Sequence, residues 1–104
     1  MSENLLNPAT EKPLHRSELP EGRRSLLQIR VDILRVVMQG YGKPTQIMYK
    51  ANLSWNVLQS QLRAFLETGL LSVEEYGSRH RYQITQEGAE LVRSYQKVVD
   101  EILD

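Results

Sequence analysis

The sequence predicts a mainly α-helical domain with one small β-hairpin, an α+β fold class, and three observations support this prediction. First, apolar residues recur at helical spacing in four segments, residues 25–39, 44–51, 54–68 and 86–103. Second, two runs typical of strands, residues 70–76 and 79–84, flank the dipeptide Gly77-Ser78, which permits a tight turn. Third, a length of 104 residues is enough for one domain with one modest core.

The first helix is predicted over residues 25–39 and ends before Gly40. At about 100° per residue, its apolar side chains cover an arc of roughly 220°, whereas packing on one core requires only about 100°. We therefore expect burial on two sides, against its own domain and against a partner. Arg30 falls inside this apolar arc, where its guanidinium is expected to reach water or an anion.

The segment before the first helix is expected to be a disordered tail. Residues 1–22 contain Pro8, Pro13 and Pro20, and their charges alternate in sign. The predicted domain therefore comprises residues 23–104.

The second and third helices are predicted to be joined by a short turn. The second begins at Pro44, which suits a first helical turn, and ends at Asn52, which adopts the left-handed conformation readily. Its expected inward residues are Ile47, Met48 and Ala51. For Tyr49, a partly buried position is favoured over a hydrogen bond from its hydroxyl to a DNA phosphate. Ser54 is the predicted N-cap of the third helix, which ends at Gly69. Its expected core residues are Leu58, Leu62, Phe65 and Leu66.

The hairpin and the last helix complete the domain. The inward hairpin residues are predicted to be Val73, Tyr82 and Ile84. Thr85 is the predicted N-cap of a helix that runs to about Leu103, some 27 Å long. Because a small helical core does not need that length, we interpret the overhang as a dimerisation arm. The predicted interface residues are Leu91, Tyr95, Val98, Val99, Ile102 and Leu103.

The third helix carries a compact polar face opposite its core face. A helix, a turn, a second helix and a hairpin form the arrangement with which winged helices hold duplex DNA. Asn56, Gln59, Ser60 and Arg63 lie within roughly 100° of arc, and their side chains suit base edges. A solvated polar face is the alternative, but the neighbouring turn and hairpin favour base recognition. The predicted DNA contacts of this helix are Ser54, Trp55, Asn56, Gln59, Ser60 and Arg63.

Trp55 lies at the seam between the polar and apolar faces of the third helix. A contact with a sugar or a thymine methyl is one interpretation. Packing against the core is favoured, because tryptophan carries a large apolar area.

Two further groups of residues are predicted to contact DNA. The hairpin tip carries Ser78, Arg79, His80 and Arg81, which are expected to bind the minor groove or phosphates. The alternative is that these residues only keep the hairpin tip soluble. Solubility needs charge, but it does not need three consecutive cationic or titratable residues. Lys43 precedes the second helix, and Thr45 and Lys50 lie within it. For these three residues, contact with the DNA backbone and simple exposure to solvent are equally weighted alternatives.

Net charge is zero at pH 7, whereas many DNA-binding domains are strongly basic. The charges are unevenly distributed, however. Residues 43–82 carry five basic and three acidic residues, and residues 83–104 carry two basic and five acidic ones. Because the local potential governs contact with phosphates, a neutral chain is compatible with a nucleic-acid partner.

Composition also excludes several function classes. The chain has no cysteine, which excludes disulfides and thiolate metal sites and favours a reducing, cytoplasmic setting. No apolar run reaches the length of about 20 residues that a membrane span requires. His15 and His80 stand apart, and Glu74 and Glu75 point to opposite faces of a strand. We therefore predict no enzyme activity, no metal, no cofactor and no small-molecule ligand.

Three segments of the chain resemble the small winged helix-turn-helix transcriptional regulators typical of archaea. They are IMYKANLSWNVLQSQL (residues 47–62), FLETGLL (residues 65–71) and YQITQEGAEL (residues 82–91). The T-x-x-G opening of the last helix is shared with many winged-helix families. The resemblance implies a DNA-binding fold with the third helix in the major groove and the wing beside it. It also implies dimerisation through the last helix, in some members as an antiparallel coiled coil.

Residues and resemblance together predict a homodimeric, sequence-specific DNA-binding regulator. The dimer would form through the first and last helices, and its half-sites would lie about 34 Å apart or a multiple of that. DNA-compacting relatives are more basic, so this acid–base balance favours a specific regulator. The alternative is a protein-interaction winged helix in a multi-subunit, transcription-related complex, which zero net charge and wide apolar arcs support. Salt dependence of DNA binding separates the two.

Overall fold

The computed structural model describes residues 24–103. In chain order the elements are α1 (Leu26–Met38), α2 (Pro44–Ala51), α3 (Trp55–Thr68), β1 (Leu71–Tyr76), β2 (Arg79–Ile84) and α4 (Gln86–Leu103). The two strands form an antiparallel hairpin, which confirms the predicted fold class. The tail predicted for residues 1–22 lies outside the described residues.

Local capping interactions set the helix boundaries. At the start of α1, the Gln28 N–H donates to the Ser25 hydroxyl (3.1 Å) and the Ser25 N–H donates to the Gln28 side-chain oxygen (3.4 Å). Asn52 ends α2 in the left-handed conformation with φ of 56°. Ser54 caps α3 by accepting from the Val57 N–H. The strand predicted to begin at residue 70 begins one residue later.

Helix α1 lies at the centre of the domain, since it packs against α2, α4 and β2. The largest fully buried side chains are Ile33, Leu34, Ile47, Leu58, Leu62 and Leu71. The wide apolar arc of α1 is therefore covered mostly within its own domain. Leu26 and Leu27, at its start, are 52% and 57% exposed, so that end of the helix is open to a partner.

The expected burial of Tyr49 is wrong, because Ile47 and Ala51 occupy the buried face of the short helix α2. Tyr49 lies on the opposite side and is 79% exposed. Its exposed ring is therefore a surface feature of the helix-turn-helix.

Two predicted core positions on α3, Leu66 and Trp55, are also wrong. The buried face of α3 includes Gln61, whose side-chain oxygen accepts from Arg30 Nε at 2.7 Å. Leu66 and Trp55 lie at the margins of this face and are 37% and 46% exposed. Arg30 is exposed to solvent as expected, while its Nε makes this internal hydrogen bond.

The junction between α3, β1 and α4 is held by Thr85. Its hydroxyl lies 2.7 Å from the carbonyl oxygen of Gly69 and accepts from the Gly88 N–H at 3.0 Å, while its own N–H donates to the Leu70 carbonyl at 3.2 Å. A Cβ at position 88 would overlap the Leu70 carbonyl oxygen and lie 2.8 Å from Ile84 Cδ1. Helix α4 therefore approaches the hairpin base at a distance that only glycine permits.

The hairpin is fixed beside the start of α2 by the loop that joins α1 and α2. The Tyr82 N–H donates to the Gly42 carbonyl at 2.8 Å. A Cβ on Gly42 would lie only 2.5 Å from the Tyr82 carbonyl oxygen. Backbone therefore packs directly on backbone here, and this contact sets the distance between the hairpin and α2.

Arg24 connects the start of α1 to the turn between α2 and α3. Its Nη1 lies 2.7 Å from the Asp32 carboxylate, and its Nη2 donates to the Asn52 carbonyl at 2.6 Å. Arg24 thereby satisfies a carbonyl at the sharp end of α2. The link holds the turn against α1 and so contributes to the placement of α3.

Candidate nucleic-acid interface

The starts of α2 and α3 and the hairpin tip enclose a groove of about 530 Å³, here called the wing groove. Its lining residues are Lys43, Pro44, Thr45, Trp55, Tyr76, Ser78, Arg79, His80 and Arg81. No aspartate or glutamate is among the described residues that line it. The fold thus brings together predicted site residues from α2, α3 and the hairpin, three segments that are separate in the sequence.

The polar face of α3 lies outside the wing groove. Asn56, Ser60 and Arg63 are exposed, and Gln59 is partly buried. The hydroxyl of Ser54 is engaged as the α3 N-cap. The predicted polar face of α3 is therefore mostly accessible to a partner.

Lys50 is the predicted backbone contact that the structure does not bring to the wing groove. Its ammonium lies 4.7 Å from the centre of the Tyr41 ring, a cation–π contact. Lys43 and Thr45, in contrast, both line the groove at the start of α2. The residues predicted to contact the DNA backbone thus lie at two separate places on the surface.

Cross-strand pairs shape the charge of the hairpin. Glu74 stands opposite Arg81, Glu75 opposite His80, and Tyr76 opposite Arg79. The Glu75 carboxylate lies 3.8 Å from His80 Nδ1, an exposed pair that contributes little to stability. Within residues 24–103, neither arginine of the tip forms an ion pair.

Glu74 is occupied by two hydrogen bonds from its own hairpin. The Tyr76 hydroxyl donates to it at 2.6 Å, and Gln83 Nε2 donates at 3.1 Å. The hydrogen bond to Glu74, together with the charge of that carboxylate, raises the pKa of Tyr76 above its ordinary value. The hydroxyl is therefore a protonated donor at neutral pH, and its bond orients the ring. Burial likewise raises the pKa of Tyr82.

Tyr76 is the groove residue that sequence reasoning missed. Its side chain is 58% exposed and stands on the outward side of β1, out of phase with the inward residue Val73. An aromatic residue at an outward strand position next to the hairpin tip was the available signal.

The predicted interface residues of α4 lie along one stripe that the domain covers only in part. Leu91, Val98, Ile102 and Leu103 are 48%, 52%, 74% and 78% exposed, and Tyr95 and Val99 are partly buried. Of the helix, only Gly88 and Val92 are buried. A second apolar hollow, of about 250 Å³, lies between α1, α3 and α4 and includes Leu27, Leu91 and Tyr95 in its lining.

Three core helices, a hairpin wing packed beside them and a helix after the wing define the fold as a winged helix. The chain belongs to the winged helix-turn-helix family, whose family model matches residues 23–102. This match confirms the resemblance deduced from the sequence segments.

Solved structures of winged-helix proteins superpose on the domain. Sso10a-2, a DNA-binding protein from Sulfolobus solfataricus, is 25% identical, with a TM-score of 0.63 over 77% of this chain and 86% of that chain. The homodimeric DNA-binding domain of Mb0332 from Mycobacterium bovis, a possible ArsR-family transcriptional regulator, is 27% identical, with a TM-score of 0.64 over 73% and 71% of the two chains. A comparison with curated protein sequences found no significant match.

One fold neighbour was solved with nucleic acid. A mutant of MepR from Staphylococcus aureus, bound to an oligodeoxyribonucleotide, has a TM-score of 0.62 and 17% identity over 75% of this chain and 59% of that chain. At this identity the likeness concerns the fold alone.

Two properties of residues 24–103 bear on other function classes. None of the helices in that range combines the length and the apolar character needed to cross a bilayer. The same range holds no cluster of three or more side chains suited to bind a metal ion. The cytoplasmic setting and the lack of a cofactor or small-molecule ligand stay predictions.

Proposed function

We propose that this protein is a sequence-specific DNA-binding transcriptional regulator that acts as a homodimer. The observation that carries the proposal is the wing groove, which gathers Lys43, Arg79 and Arg81. Among the described residues of its lining, none is acidic. Such a local cluster attracts phosphates although the net charge of the chain is zero.

In the proposed complex, α3 lies in the major groove. Arg63 suits the two acceptors of guanine, and Asn56 and Gln59 suit adenine, because each side chain can form paired hydrogen bonds with the base edge. Ser60 adds a hydroxyl to this face. These contacts provide the sequence preference.

The wing and α2 position the protein on the DNA backbone. Arg79 and Arg81 enter the adjacent minor groove or bind its phosphates, while His80 and Ser78 contact the backbone. Lys43, just before α2, is exposed and lines the wing groove, so its ammonium can reach a phosphate. Contacts of this kind fix orientation and register without reading sequence.

Relatives support a DNA partner. Sso10a-2 is a DNA-binding protein, and it aligns over most of this chain. The Mb0332 domain is both DNA-binding and homodimeric. Enzyme activity is not part of the proposal, since Sso10a-2 and the Mb0332 domain are both DNA-binding proteins.

The homodimer is proposed to form through α4, with the exposed start of α1 beside it. The outer part of α4 presents Val98, Ile102 and Leu103 to solvent, and mutual burial of this stripe in a two-fold dimer removes apolar area from water. If the two-fold axis of the dimer coincides with that of a palindrome, the two α3 helices reach half-sites about 34 Å apart, or a multiple of that.

The Arg81→Ala variant is expected to reduce the salt dependence of DNA binding. Each cation that neutralises a phosphate releases counterions, so losing one lowers the slope of log affinity against log salt by about 1. The measurement is fluorescence anisotropy of a labelled duplex at several salt concentrations. Arg93→Ala is the matched control, because it removes the same charge from α4, outside the groove. Equal slopes for Arg81→Ala and the unaltered protein would remove the wing from the interface.

The Ile102→Glu variant is expected to dissociate the dimer without unfolding the protomer. Ile102 is 74% exposed in the single chain, so the carboxylate is hydrated in the monomer but buried and unpaired in the dimer, which costs about 3–5 kcal/mol. Sedimentation equilibrium should show a dissociation constant raised by about 100-fold or more. Lys97→Glu introduces the same carboxylate at an exposed position away from the apolar stripe and should leave the dimer intact. If the unaltered protein is strictly monomeric at micromolar concentration, this part of the proposal is wrong.

The protein-interaction alternative has one specific observation in its favour, the exposure of Leu26 and Leu27 at the start of α1. An apolar protein interface is far less sensitive to salt than a DNA interface. If the protein binds no duplex at low salt, this second function replaces the first.

A further inference from the structure

The wing groove has two aromatic walls as well as its cations. Trp55 and Tyr76 both line it and are 46% and 58% exposed. The ring of Tyr76 is held by the 2.6 Å hydrogen bond from its hydroxyl to Glu74. Two large, half-exposed rings in one groove, one of them oriented by a hydrogen bond, form a surface on which a flat apolar group can pack.

The charges beside these rings select the kind of group. Lys43, Arg79 and Arg81 line the same groove, and within residues 24–103 no acidic side chain does. The complementary ligand is therefore an anion that also carries a flat ring. Within nucleic acid, that description fits a single nucleotide, with its phosphate on the cations and its base on an aromatic face.

The size of the groove is compatible with a single nucleotide. Its volume of about 530 Å³ lies in the range of about 300–1,000 Å³ typical of small-molecule pockets. The bases of an uninterrupted duplex are stacked on one another and expose only their edges. A base that has left the stack can lie flat on an aromatic ring instead.

We infer that the wing groove binds one unstacked nucleotide, whose base packs on Trp55 and whose flanking phosphates contact Lys43, Arg79 and Arg81. The protein accordingly binds DNA with an unpaired nucleotide more tightly than the same uninterrupted duplex. The inference rests on the proposed DNA binding and adds a preference that α3 in the major groove does not provide.

Trp55 is the one tryptophan of the chain, so its fluorescence reports directly on the groove. The full chain is titrated with three duplexes of the same sequence, one continuous, one with a single extra unpaired adenosine, and one with an abasic residue in its place. The unpaired adenosine should quench the fluorescence and bind about 5- to 150-fold more tightly than the continuous duplex, the range that one base–aromatic stack supplies. The abasic duplex should behave as the continuous one.

Three variants locate the effect. With labelled DNA, Trp55→Leu should bring the ratio of the two affinities, unpaired adenosine over continuous duplex, close to 1. Tyr49→Leu removes an exposed ring that does not line the groove and should keep the ratio of the unaltered protein. Tyr76→Leu, which should reduce the ratio, tests the second wall independently. Circular dichroism confirms folding of all three variants.

Three results overturn the inference, and they separate it from the proposed function. Salt-dependent binding to all three duplexes with equal affinity removes the nucleotide site and leaves the proposed function in place. Tighter binding to both the unpaired-adenosine and the abasic duplex shows that the protein responds to a flexible backbone rather than to a base. No binding to any of the duplexes at low salt removes both proposals.

Discussion

The Gly88→Ala variant is expected to be less stable than the unaltered protein, although alanine is the better helix former. In an exposed helix interior, glycine to alanine stabilises by about 1 kcal/mol. Here the new methyl group overlaps the carbonyl oxygen of Leu70. That carbonyl is fixed, since it accepts from the Thr85 N–H and lies 3.0 Å from the Thr85 hydroxyl. Relief requires α4 to move away from the hairpin base, at a net cost of about 1–3 kcal/mol.

Thermal unfolding followed by circular dichroism measures this effect. Each kcal/mol lowers the Tm of a domain of this size by roughly 4–8 °C. Ser94→Ala is the matched control, because it places alanine at an exposed position of the same helix and should leave the Tm unchanged or slightly higher. A Tm for Gly88→Ala equal to or above that of the unaltered protein would mean that α4 does not approach Leu70 so closely.

The Arg63→Ala variant is expected to lose both DNA affinity and sequence preference. Arg63 lies on the exposed polar face of α3, and a bidentate contact with guanine discriminates against the wrong base by about 1–3 kcal/mol. Affinity for the preferred site should therefore fall by about 5- to 150-fold. Affinity for unrelated duplexes should fall much less. Anisotropy titrations with the preferred site and with one altered base pair measure both quantities.

Arg63→Lys separates base recognition from simple charge. Lysine keeps the positive charge but lacks the planar fork of donors that pairs with two acceptors on one base. We therefore expect Arg63→Lys to retain salt-dependent binding and to lose most of the sequence preference. Unchanged preference in both variants would show that α3 is not the element that reads the bases.

Much of the fold was predictable, because the positions at which its helices begin and end depend on local chemistry. Pro44 begins α2, Asn52 ends it and Ser54 caps α3, and each does so through its own backbone or a hydrogen bond within a few residues. Thr85 likewise caps α4 through the Gly88 N–H. Both partners of each such interaction lie within a few residues of each other, so the sequence alone reveals them.

Burial was less predictable, since it depends on what lies across from a helix. Helical spacing placed Leu66 inward and its large apolar area placed Trp55 inward, but both are exposed. The buried face of α3 instead includes Gln61, which accepts a hydrogen bond from Arg30. Residues 30 and 61 are distant in the sequence, and no local pattern pairs them. The same holds for the link from Arg24 to the Asn52 carbonyl.

The candidate site was predictable in its residues but not in its shape. Charge and position indicated Lys43 and the arginines of the hairpin tip. Their arrangement around one groove depends on the backbone contact between Gly42 and Tyr82, which the sequence does not reveal. Tyr76 was overlooked for this reason, since its role follows from the neighbours that the hairpin acquires in three dimensions.

Selection from a random duplex pool at two salt concentrations tests the central claim most directly. The retained DNA is sequenced after binding at low salt and after a wash at high salt. A sequence-specific dimer predicts an enriched palindromic motif, with half-sites about 34 Å or a multiple of that apart, and its loss at high salt. If the protein retains no duplex even at low salt, it is not a DNA-binding regulator, and a protein partner for its apolar helices is the result to pursue.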